Sequence, residues 1–256
     1  PFWGSLHFAV FPQTPFLAYA PSGFLYTIQI RGYNTKMDGL KRNLEAKILR
    51  LMENFPAVVI TGVRQCGKST LAQHLFPDWD YFDLENPSHF EMIADDPALF
   101  FRNYPQHVII DEAQRSDALF RTMRSVIDQD RKVKGRFLLT GSASFDLIKH
   151  ISETLAGRVA IVELSPFKRN ELEARPLPGF FDIFGSKIST NTISFLKTLK
   201  SSTGFTNLRK TILAGGYPEP VLRRDSDFFQ DWMENYFDTY INRDMRYLYP
   251  KLDLIK

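Results

Sequence analysis

With a single cysteine, Cys66, in 256 residues, the chain cannot close a disulfide on itself, and the lack of a cysteine framework fits a reducing compartment, the cytoplasm. Neither sign of charge dominates. The 32 basic and 29 acidic side chains leave a formal +3, so composition demands no polyelectrolyte attraction to nucleic acid. Apolar and charged residues, 44% and 24% of the chain, lie near the averages for globular proteins, which argues against a largely disordered or membrane-embedded chain. His74, His89, His107 and His150 lack metal-ligand spacing, so no zinc site is read. Internal repeats and low-complexity tracts are missing as well.

Residues 1–36 have neither helical periodicity nor a long apolar run, and Pro12, Pro15 and Pro21 interrupt them. Ala18-Tyr19-Ala20 looks like a small-x-small cleavage site, but no basic cluster precedes it and Pro21 follows at once. The expectation is a leader over 1–36, with natural translation starting at Met37.

Patterned elements begin after that. Leu40, Leu44, Ile48, Leu51, Met52 and Phe55 share one face of a helix. Ala57 to Thr61 is a short apolar run between Pro56 and Gly62, the pattern of a strand buried on both faces. Further strands are expected at Trp79–Leu84, His107–Asp111, Phe137–Thr140 and Val159–Leu164. Helices are expected at Ser69–Phe76, Pro97–Asn103, Asp117–Asp130 and Phe145–Ser152. Strands alternating with helices imply a parallel sheet covered on both faces. Beyond Pro166 the pattern becomes a small helical lid with an irregular insertion, then the turn Gly215-Gly216-Tyr217-Pro218. In the final helix Phe228, Trp232, Tyr236 and Tyr240 run beside Phe229, Met233, Phe237 and Ile241, a broad apolar face that needs cover.

The segment Gly62-Val63-Arg64-Gln65-Cys66-Gly67-Lys68-Ser69-Thr70 satisfies the pattern G-x-x-x-x-G-K-[ST] between a strand and a helix. Glycines let the backbone wrap phosphates with its N–H groups turned inward, and the following helix offers its positive end. Lys68 would reach the β- and γ-phosphates, and the Ser69 hydroxyl would ligate Mg²⁺. Cys66 occupies a variable loop position and reads as inert filler; Arg64 is ambiguous. Val108-Ile109-Ile110 ends in Asp111 and Glu112. At the carboxyl end of a parallel strand Asp111 would face the metal, and Glu112 the attacking water.

Phe137-Leu138-Leu139 leads into Thr140 and Ser142. A strand lying between the other two would make these hydroxyls sensors of the γ-phosphate; equally, they could cap the following helix. Arg158, just before the fifth strand, is either a source of positive charge for the transition state or one half of a surface salt bridge. The run Arg121, Arg124, Arg131, Lys132, Lys134 and Arg136 could contact nucleic acid, but it lacks interleaved aromatics and is the usual look of a solvated face.

Together with Leu155-Ala156-Gly157-Arg158 and Gly215-Gly216-Tyr217-Pro218-Glu219-Pro220, these motifs resemble the prokaryotic AAA-type ATPases that carry a DUF4143 C-terminal domain. The resemblance spans about Met37 to Lys256. It implies a P-loop NTPase of the α/β class, a three-layer αβα sandwich with an additional-strand parallel sheet followed by a helical lid. ATP rather than GTP is implied as the nucleotide, with Mg²⁺. The expected division is a core over 37–165, a lid with insertion over 166–222, and the start of a truncated C-terminal domain over 223–256. A homo-oligomer in which Arg158 acts across an interface and a protein client are compatible with this scheme; a membrane is not part of it.

A GTPase is the first rival, because Thr35-Lys36-Met37-Asp38 matches a guanine-reading pattern. That tetrapeptide precedes the P-loop, however, and the acidic strand ends in Asp-Glu-Ala-Gln instead of Asp-x-x-Gly. A small-molecule kinase would need an acceptor pocket and a basic lid, neither of which can be read here. A nucleotide-binding module without turnover is the remaining alternative.

Overall fold

The computed structural model describes residues 40–142, 151, 153–177, 190–198 and 205–242. The expected helix Phe145–Ser152 and much of the insertion lie outside the described residues. The same holds for 1–36 and for the chain after Asn242.

Helix α1 (Glu45–Asn54) buries Ile48 and Met52 against the sheet. It is shorter than the periodic run that announces it, since Leu40 to Leu44 approach it without helix. Strand β1 (Ala57–Gly62) is buried at every position. Ala57 and Val59 face one core, Val58 and Ile60 the other, which is why the strand reads as a continuous apolar run. Helix α2 (Lys68–Leu75) follows the glycine-rich turn and leads to β2 (Asp80–Asp83).

A helix the sequence reading missed comes next. α3 (Pro87–Asp95) starts at Asn86, whose side chain accepts from Ser88 N, with Pro87 at the first helical position. Asn followed by Pro is a helix-start signal. α4 (Pro97–Asn103) repeats the device with Asp96 and Pro97. Strand β3 (Val108–Asp111) is wholly buried. A short 3₁₀ turn (Ala113–Arg115) and α5 (Asp117–Gln129) follow, and α5 buries Leu119, Phe120, Met123 and Ile127. β4 (Phe137–Ser142) runs two residues past the expected end, and β5 is Val159–Glu163.

All pairings are parallel, in the order β2-β3-β4-β1-β5. The strand ending in Thr140 and Ser142 therefore lies between the P-loop strand and the acidic strand. Apolar side chains on the two sheet faces form two cores, and the one that includes Ile109, Leu138 and Val58 also takes in Leu71 and Ala72 of α2.

After β5 come α6 (Arg169–Leu172), α7 (Thr190–Thr198), α8 (Phe205–Ala214), α9 (Pro218–Arg223) and α10 (Ser226–Tyr236), which continues as a π-helical turn over Phe237–Asn242. Gly216 joins this region to the tail of β5. Phe167 N donates to its carbonyl at 2.7 Å, and a Cβ there would sit 2.2 Å from the Phe167 carbonyl oxygen. Only glycine allows that approach, which sets Pro218 beside the P-loop glycine Gly67.

Candidate nucleotide site

The loop from Gly62 to Gly67 is shaped by positive-φ backbone. Gly62 has φ +152°, and a Cβ would lie 2.2 Å from the Leu164 carbonyl oxygen. Gly67, at φ +95°, is the residue that opens α2. Gln65 is left-handed although it carries a side chain, at φ +59°. Lys68 is buried, and its Nζ donates to the carbonyl oxygens of Gly62 at 3.2 Å and Val63 at 3.1 Å. Ser69 is half-buried and Thr70 exposed, both in the first turn of α2. Cys66 is fully buried and its thiol donates to Leu164 O at 3.4 Å. Burial pushes this thiol up from its ordinary range despite Lys68 and Arg42 nearby, so it stays protonated and unreactive.

Across β4 stand the acids. Asp111 is buried. One of its oxygens accepts the Thr140 hydroxyl and, at 3.1 Å, the Glu112 N–H. The other accepts the Tyr81 hydroxyl at 2.6 Å. Glu112 sits in the left-handed region at φ +52°, an uncommon place for a side-chain-bearing residue. The Gln114 amide donates both to its carboxylate and, at 3.1 Å, to Ser142 Oγ. Thr140 and Ser142 thus each connect β4 to one of the two acids. Arg64, Gln65 and Glu112 line one open polar cavity of about 290 Å³ together with Glu85, Tyr236, Thr239 and Tyr240.

On the other flank of the loop is a narrow apolar pocket, lined by Leu40, Gly67, Leu71, His74, Phe167 and Pro218 among others. Arg42 braces it. Its guanidinium donates to Cys66 O at 3.2 Å and Ser165 O at 2.6 Å, pairs with Glu171 and lies 4.3 Å from the Phe167 ring centroid. Nothing in the local pattern singled out Arg42, Tyr81 or Gln114. Their partners lie on other elements, and only Gln114, two residues beyond Glu112, carried a hint of proximity.

Arg158 is not brought to this site. Val159 pairs with Ala57 at the amino end of the sheet, which puts Arg158 on the order of 16 Å of strand from Gly62. There it makes a two-pronged bond to Asp128, at 2.8 and 2.7 Å. Arg158, first by hydrogen bonding, holds the Asp128 carboxyl below its usual range, with Arg131 and Arg124 adding to the effect. Arg158 and two cations of the basic run, Arg124 and Arg131, thus converge on one acid, the pattern of a solvated face. Arg64 turns towards the C-terminal helix. Its guanidinium is 5.6 Å from the Tyr240 ring centroid, and its carbonyl accepts the Tyr236 hydroxyl at 3.4 Å. The aromatic row of that helix is partly covered in this way. Tyr217, Trp232 and Tyr236 stack with centroids 4.9 to 5.1 Å apart, while Phe237 stays exposed.

A parallel sheet of this order, with a glycine-rich loop leaving β1 and acids ending β3, defines a P-loop α/β fold. Within that class, an AAA domain of the AAA_14 family is matched over residues 54–173. Residues 205–256 match a domain of unknown function, DUF8612, where the sequence resemblance implied DUF4143. The chain is similar to Uncharacterized protein Mb2031c of Mycobacterium bovis and Uncharacterized protein Rv2008c of Mycobacterium tuberculosis, each 31% identical over 211 residues, 81% of this chain and 40% of the relative. It therefore spans about two fifths of the length of these relatives. Among solved structures, the Walker-type ATPase PABY2304 of Pyrococcus abyssi is 17% identical, with 82% of this chain and 75% of that one covered and a TM-score of 0.45. The RuvB Holliday junction branch migration motor of Thermotoga maritima is 20% identical, with 52% and 47% covered and a TM-score of 0.35. Likeness at that level carries no argument about function. No helix among the described residues is long and apolar enough to cross a membrane.

Proposed function

We propose that this chain binds ATP with Mg²⁺ and hydrolyses it to ADP and phosphate, using the energy to change the conformation of a protein client in the cytoplasm. The observation that carries this reading is the polar cavity shared by the P-loop residues Arg64 and Gln65 and the acid Glu112. The triphosphate would lie along Gly62 to Thr70, with the backbone N–H groups and Lys68 on its oxygens. The base would enter the apolar pocket at Leu71, Phe167 and Pro218, which opens at the same glycine, Gly67.

The donor set fits the metal. Mg²⁺ is commonly held by one or two protein oxygens together with substrate phosphates instead of an all-protein cage, and Ser69 and Asp111 supply such oxygens. When bound, the ion neutralises charge across the β- and γ-phosphate oxygens. Glu112 orients the attacking water and accepts its proton, held in place by Gln114 and, through it, Ser142. Arg158 serves the reaction only from a second copy of the chain, since its own P-loop is out of reach.

The test is Glu112→Gln. Phosphate release should fall by roughly 10² to 10⁴ while ATP affinity is retained. Equal inactivity of parent and variant, with ATP still bound, would establish the alternative, a binding module without turnover.

A further inference from the structure

Tyr81 belongs to none of the motifs, yet its hydroxyl lies inside the site. It donates to Asp111 at 2.6 Å. A carboxylate has about four lone-pair positions. The first oxygen of Asp111 uses two of them, on the Thr140 hydroxyl and the Glu112 N–H. The second uses one, on Tyr81. The remaining acceptor position is therefore on the oxygen that Tyr81 holds, and that position is what Asp111 can offer to a cation or its water.

The register explains why Tyr81 can do this. Tyr81 is paired with Ile109 on β3, and Asp83 with Asp111. Tyr81 and Asp111 thus stand diagonally across the pair on the same sheet face, a separation that a long aromatic side chain spans. Thr140 grips the carboxylate from β4 and Tyr81 from β2, so its plane is fixed from both sides.

We infer that Tyr81 is a positioning residue for the cation: its hydroxyl aims the free acceptor of Asp111 at the metal. This rests on the ATP–Mg²⁺ reading above. Groups that orient a metal ligand from behind typically change metal affinity by about 10- to 100-fold when removed.

The experiment is a titration of the full chain with a fluorescent ATP analogue, in EDTA and across a Mg²⁺ series, on the parent and Tyr81→Phe. Expected for Tyr81→Phe are unchanged metal-free affinity, a melting temperature lowered by no more than roughly 5 °C and a half-saturating Mg²⁺ concentration raised by roughly tenfold. A parental Mg²⁺ dependence in Tyr81→Phe overturns the inference and leaves the ATP–Mg²⁺ reading standing. Loss of metal-free binding or a larger drop in melting temperature in Tyr81→Phe also overturns it, by showing a packing role. A parent whose nucleotide affinity ignores Mg²⁺ overturns both.

Discussion

The two edges of the one sheet treat charge in opposite ways. At the carboxyl edge Lys68, Asp111 and Thr140 are buried and hydrogen-bonded to one another or to the loop. At the amino edge Arg158, Arg131 and Arg124 gather round Asp128, where Arg124, Arg131 and Asp128 are exposed and Arg158 is partly covered. A parallel sheet points every strand's carbonyl end the same way, so loops that leave the strands can converge on a ligand at one edge only. Exposed pairs are screened and contribute little to stability, whereas buried polar groups must find partners and so become fixed in geometry. The carboxyl edge holds its charged groups through hydrogen bonds. The amino edge is available to another surface.

The sharpest way to break this contrast is to ask whether Arg158 matters to turnover at all. Arg158→Ala should leave ATP affinity unchanged while lowering turnover by about 10³-fold. Mixing it with Glu112→Gln should restore part of the activity, because each copy supplies what the other lacks. Phosphate release measured on the mixture decides this, and no restoration would confine Arg158 to its bond with Asp128. At the opposite edge Lys68→Ala should weaken ATP binding by roughly 10- to 100-fold, the value of a hydrogen bond to a charged group in that setting. Calorimetric titration showing parental affinity would remove Lys68 from the site. The smallest effect concerns stability. Gly62→Ala forces a Cβ against the Leu164 carbonyl and should lower Tm by roughly 5 to 10 °C. An unchanged melting curve would mean that the loop can shift away from β5.

Legibility in the sequence followed the range of each signal. The P-loop was readable because its glycines, lysine and serine act within a single turn, each needing only its neighbours. β1, β3 and β4 were readable because strands covered on both faces have no polar positions until they end, and they end in the residues that matter. α3 went unread although Asn86 and Pro87 mark its start, since its face buries Ile93 alone and offers almost no apolar period. Arg158 was placed among catalytic residues, but its position before β5 puts it at the amino edge of any parallel sheet, away from its own loop. The aromatic face of the last helix was visible, though not its cover, because the contacts of Tyr236 and Tyr240 with Arg64 span well over a hundred residues of chain.

The linear order of residues determined the P-loop itself, since such a loop is written contiguously and its geometry follows from backbone conformations that glycine adopts most freely. Tertiary structure decided which side chains gather beside it. Tyr81, Thr140 and Gln114 reach the two acids only once β2, β3 and β4 lie side by side, and hydrogen bonds across strands depend on a register that local propensity does not encode.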